Sequence, residues 1–127
     1  MGNRAVIMVR GKMKDADPCI YLHWNGGRAS VEAFLQVCAV RMRCKNIERA
    51  PLKALAMFEQ TARGFIQGSV YRETCKSADR DNGDNGAYII GEDWRIVGRE
   101  HAPENEEIDL KKTAGIYAEC MGEKAAL

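Results

Sequence analysis

Two amphipathic helical segments stand side by side between short β-rich runs, and that order constrains the fold more than any other feature of the chain. Over residues 31–44, Val31, Phe34, Leu35, Cys38 and Met42 recur at helical spacing, with Gln36, Arg41, Arg43 and Lys45 on the other side. Ser30 is placed to cap this helix, and Glu32 sits in the first turn, where the helix dipole favours an acid. Pro51 suits the first turn of a second helix. Its apolar side is Leu52, Leu55, Phe58, Ala62, Phe65 and Ile66, and Gly68 is placed to end it. Ahead of the helices, residues 4–9 and 19–24 read as strands. In the second of these, Ile20 and Leu22 alternate with Tyr21 and His23, so one face is apolar and the other more polar. After the helices, 69–74 reads as a strand and 75–86 as a loop without a large apolar residue. Residues 87–90 and 94–97 flank Gly91-Glu92-Asp93 as a hairpin. Asp109 is placed to cap a last helix over 110–122, with Leu110, Ala114, Tyr117 and Met121 inward. The order β-β-α-α-β-β-β-α predicts one α+β domain over residues 1–127: a mainly antiparallel sheet of about five strands with three helices.

A chain of 127 residues buries about two-thirds of its unfolded surface in a single core. With 46% hydrophobic and 29% charged residues, it falls outside the disordered and fibrous classes. No run reaches the ~20 apolar residues of a membrane span. The apolar stretch 5–9 is too short for a signal-peptide core, and Val6 stands where a myristoylation motif wants Ser or Thr. A cytoplasmic protein is expected. The five cysteines, Cys19, Cys38, Cys44, Cys75 and Cys120, are odd in number and form no CxxC pair, so free or buried thiols are expected.

Three constellations offer groups capable of chemistry. His23-Trp24-Asn25-Gly26-Gly27 leads from a strand to a helix, where free backbone N–H groups can bind an anion with Arg28 as counter-charge. Neither phosphate-binding glycine motif is present, so the stretch reads as a structural turn with Trp24 packed inside. Asp79, Asp81 and Asp84 offer three carboxylates within six residues, but Gly83 and Ile90 stand where a calcium loop needs oxygen ligands. A solvated turn is expected there, with no metal and no cofactor. Cys19 and His23 lie about 13 Å apart along one strand and cannot pair as nucleophile and base.

Charge is unevenly spread. Residues 1–63 carry eleven Lys/Arg against five Asp/Glu, and residues 64–127 carry eight against thirteen, although the whole chain is +1. The acidic surface is expected at Asp79, Asp81 and Asp84 with Glu104, Glu106 and Glu107, and the basic one at Arg41, Arg43, Lys45, Arg49 and Lys53. Two opposed patches suit electrostatic steering of a partner.

MGNRAVI, IYLHWNGG followed by SVEAFL, and DNGDNGAYII followed by WRIVGR resemble a family of small proteins encoded by phages and mobile elements of bacteria. The likeness covers about half the chain. It implies an accessory protein in a bacterial cytoplasm and no particular reaction. The leading expectation is a non-enzymatic inhibitor that binds a host protein, of the anti-CRISPR kind, with a CRISPR effector as partner and the acidic surface as contact. Two rivals stand beside it: a small enzyme or metal-dependent module using His23 and the Asp79–Asp84 loop, and a nucleic-acid-binding regulator using the basic helix.

Overall fold

Strand β1 (Ala5–Val9) is buried at every position. Apolar residues on both faces need cover on both, which puts such a strand in the middle of a sheet. In the computed structural model, which describes residues 3–11, 17–43, 46–103 and 105–126, β1 lies between β2 (Pro18–Leu22) and β4 (Ala87–Gly91). Strand β3 (Val70–Thr74) forms one edge and β5 (Arg95–Glu100) the other, giving the order β3-β2-β1-β4-β5. The β1–β4 pairing is parallel and the other pairings are antiparallel. The α+β class and the element order match the sequence reading.

Helices α1 (Arg28–Arg41), α2 (Pro51–Phe65) and α3 (Leu110–Ala126) belong to one side. Ala5, Ile7, Val9, Ile20, Leu22, Val70, Tyr88 and Ile90 point from the sheet into a core closed by Val31, Phe34, Leu35, Leu55 and Phe58. Phe34 meets Phe58 and Phe65 edge to face at 5.9 and 5.7 Å. Such aromatic pairs add about 0.5–1.5 kcal/mol each to the burial of their area. Helix α3 packs mainly along α1.

The opposite face of the sheet is covered by the loop 75–86. Val6, Met8, Cys19 and Ala87 are buried there under Cys75 and Ala78, with Tyr21 at the rim. A coil segment without large apolar residues thus closes the second side of the sheet.

Several local expectations are corrected. Helix α1 starts at Arg28 with Gly27 as N-cap, so Ser30 is a buried first-turn residue rather than the cap. It ends at Arg41, not at 44. The turn before it is tight enough for helical bonding to begin early, with Val31 N–H donating to the Gly27 carbonyl at 3.0 Å. Leu52 is 59% exposed because, at 100° per residue, it lies off the buried stripe of Ala54, Leu55, Phe58, Thr61 and Ala62. Helix α2 ends at Phe65, and Gly68 makes the positive-φ turn into β3. Asp109 does cap α3, accepting from Lys112 N–H at 3.0 Å. Leu110 is 73% exposed and Ala114 is exposed, whereas Tyr117 and Met121 pack against the core as expected, together with Thr113, Ile116 and Cys120, so the inward stripe departs from the expected one only over its first turns. Packing against α1 sets that phase.

Candidate binding face

The loop 75–86 owes its shape to Asn82, whose side chain is buried and fully used. Its Nδ2 donates to the Asp79 and Gly86 carbonyls at 3.0 and 3.1 Å, and its Oδ1 accepts from the Asp84 and Gly86 N–H groups, both at 3.0 Å. Gly86 has φ +64°, and a Cβ there would stand 2.0 Å from the Glu100 carbonyl oxygen, so only glycine fits.

This frame divides the expected acidic residues by role. Asp84, although exposed, is already paired within the chain: its carboxylate accepts from Arg4 Nε at 2.8 Å and from Arg4 N–H at 3.0 Å. Those bonds hold the Asp84 carboxyl below the ordinary carboxylate range, against a smaller opposing effect of desolvation. Asp79 and Asp81 face solvent, Asp81 only 3.7 Å from His101 Nδ1. Glu106 is also structural. It accepts at 2.9 Å from Arg99, whose side chain is 2% exposed and lies 4.0 Å over the Tyr88 ring. Arg99 donates as well to the Asn85 carbonyl at 2.9 Å, joining the acidic segment to the loop. Glu107 is exposed, and Glu104 lies outside the described residues.

The stretch 23–27 is a turn, but not the one expected. Strand β2 stops at Leu22, Trp24 is 44% exposed, and the chain turns at Asn25, which has φ 58°. Gly26 is needed for close approach rather than for a positive φ: a Cβ there would lie 2.5 Å from the Asn3 carbonyl oxygen and 2.7 Å from Ala5 Cβ. The Gly26 carbonyl accepts from the buried Tyr88 hydroxyl at 2.8 Å. Arg28 bonds Glu32 and the Glu106 carbonyl, so it is already engaged and is not poised as an anion counter-charge.

The basic residues are separated from this face. Arg41 donates to Thr61 Oγ1 at 3.3 Å between α1 and α2. Arg43, Arg49 and Lys53 are exposed around the start of α2, and Lys45 lies outside the described residues.

The sheet adds a feature that no single stretch of sequence carries. Register places Tyr21 opposite Tyr71. Their rings lie 6.1 Å apart, and Tyr21 lies 6.1 Å from His23, which meets Trp24 edge-on at 5.5 Å. The Tyr21 hydroxyl and His23 Nδ1 are hydrogen-bonded at 3.0 Å. The result is a continuous aromatic row, Tyr71–Tyr21–His23–Trp24, with Tyr71 49% exposed and Trp24 44% exposed at its ends. It borders the acidic loop. Only the alternation of Tyr21 and His23 hinted at it in the sequence; Tyr71 joins through strand pairing.

Burial pushes the Cys19 and Cys38 thiols up to about 12, so both stay protonated at neutral pH. Among the described residues, no group of three His, Cys, Asp or Glu side chains converges as a metal-ion site. Among the same residues no helix is long and apolar enough to cross a membrane. No family model, curated protein or solved structure matches the chain, so the fold and the geometry of this face are what bear on its function.

Proposed function

We propose that the protein acts by stoichiometric binding, presenting the face built by the loop 75–86 to a basic partner protein. The observation that carries this reading is the Asn82-centred frame, which fixes the loop and leaves Asp79 and Asp81 facing solvent. A contact surface ordered before binding avoids part of the entropy of association. Carboxylates on it raise the encounter rate with a cationic target. In its specific form, the reading is a phage or mobile-element inhibitor of a host protein, such as a CRISPR effector with a basic nucleic-acid channel. The rival reading draws on the exposed Arg43, Arg49 and Lys53 and takes nucleic acid as the partner.

The test is affinity capture from a bacterial lysate with three proteins: wild type, Asp79→Asn/Asp81→Asn/Glu107→Gln, and Arg43→Gln/Arg49→Gln/Lys53→Gln. The proposal expects a protein held at about 1:1 by the wild type and the basic-patch variant, and lost by the acidic variant. Retention by the acidic variant, with loss by the basic-patch variant, overturns it.

A further inference from the structure

The aromatic row lies on the same face as the acidic loop, and its surroundings are selective. Glu73 is two residues beyond Tyr71 on the same side of β3, opposite Cys19. Burial raises the Tyr21 phenol above its ordinary value; Arg4 opposes this, while Asp79, Glu73 and Asp84 add to it. Strand register puts Glu73 beside Tyr71, and Ala78, the neighbour of Asp79, packs in the same cluster as Tyr21, so both carboxylates border the row. Among the described residues, Arg4 is committed to Asp84 and Arg80, on the loop, to Glu100, while Lys76 on the loop is exposed. A stacking surface for single-stranded nucleic acid carries free cations for the phosphates beside its aromatic rings. Here carboxylates stand beside the rings and the nearest arginine is neutralised. Rings flanked by carboxylates suit a cation, because the ring face attracts positive charge and the carboxylate completes the pairing. A planar guanidinium both stacks on a ring and forks onto a carboxylate, which an ammonium does less well.

We infer that the row Tyr71–Tyr21–His23–Trp24 is a subsite for an arginine side chain of the partner, which stacks on the exposed rings while Glu73 and Asp79 accept its N–H groups. This rests on the reading of the acidic face as the docking surface. It adds that arginine, rather than positive charge in general, is the group recognised.

The probe is a short arginine–glycine peptide, with a lysine–glycine peptide and an oligothymidylate as comparisons, added to the full-length protein. Trp24 fluorescence reports on the row, since the other tryptophan, Trp94, is only 5% exposed. The arginine peptide should shift Trp24 emission saturably and bind more tightly than the lysine peptide. Tyr71→Ala should weaken it by roughly fivefold, the value of about 1 kcal/mol of cation–π contact. Circular dichroism confirms that this exposed-site variant is folded. If Tyr71→Ala changes nothing while Asp79→Asn/Asp81→Asn weakens binding, the arginine subsite is wrong and the acidic docking face stands. Should neither variant matter, or the arginine peptide not bind, the subsite is overturned. Binding of oligothymidylate that depends on Tyr71 would also overturn it, making the row a nucleic-acid platform.

Discussion

Single residues in this protein do work that their composition does not announce. Gly26 lets the chain pass against Asn3 and Ala5 and offers its carbonyl to Tyr88. Gly26→Ala should therefore lower stability by about 1–3 kcal/mol through overpacking. Trp24→Ala, two residues away, should change it by no more than about 0.5 kcal/mol, because the ring lies outside the core. Chemical denaturation of both variants checks the contrast, and a large loss on removing Trp24 would mean the ring is packed after all. Neighbouring glutamates differ in the same way. Glu107→Gln should be neutral. Glu106→Gln removes the negative charge paired with a buried guanidinium and should cost about 1 kcal/mol, a figure held down by the partial exposure of Glu106 and by the other contacts of Arg99. Equal effects in a denaturation series would contradict the structural role given to Glu106.

At the scale of elements, the loop 75–86 behaves as a piece of the core. Asn82→Ala removes four hydrogen bonds to backbone groups and should destabilise by about 2–4 kcal/mol. Hydrogen exchange should show protection lost at Gly86 and in the adjoining strand β4. Retained protection there would show that the loop closes without its central side chain. The element order was legible because apolar period, Pro51 and the glycine turns punctuate the chain clearly. The continuous apolar run of β1 was equally readable as a strand, but its parallel pairing with β4 was not, since partner choice is decided by the whole sheet. Tyr117 and Met121 of α3 pack inward as expected, but the start of its stripe was missed for a related reason. Leu110 and Ala114 fit a helical stripe on paper, and the contact with α1 selects Thr113 and Cys120 instead. The candidate site was half visible. Asp79 and Asp81 stood out as a charge cluster, while the internal roles of Asp84 and Glu106 depend on arginines distant in sequence. Tyr71 could be joined to Tyr21 only through the β2–β3 register.

For the molecule as a whole, burial on both sides of the sheet gives a characteristic response to alkali. Cys19 and Cys38 have folded-state values of about 12 against an ordinary 9.0, so the unfolded chain releases these protons first. Their contribution to stability is full below about pH 9 and is lost as pH rises towards 12. Urea unfolding of Cys38→Ala should show a shallower decline over that range than the wild type, whatever its starting stability. A parallel decline would assign the alkaline loss to other groups.

If exposed carboxylates bring this face to a basic partner, neutralising them must slow the encounter. That is tested most directly by the association rate with the captured partner, measured across a series of salt concentrations for the wild type and for Asp79→Asn/Asp81→Asn. The wild-type rate should fall steeply with salt, and the variant rate should be slower at low salt and nearly flat, with similar dissociation for the two. Superimposable salt profiles for the two proteins would contradict steering by these carboxylates.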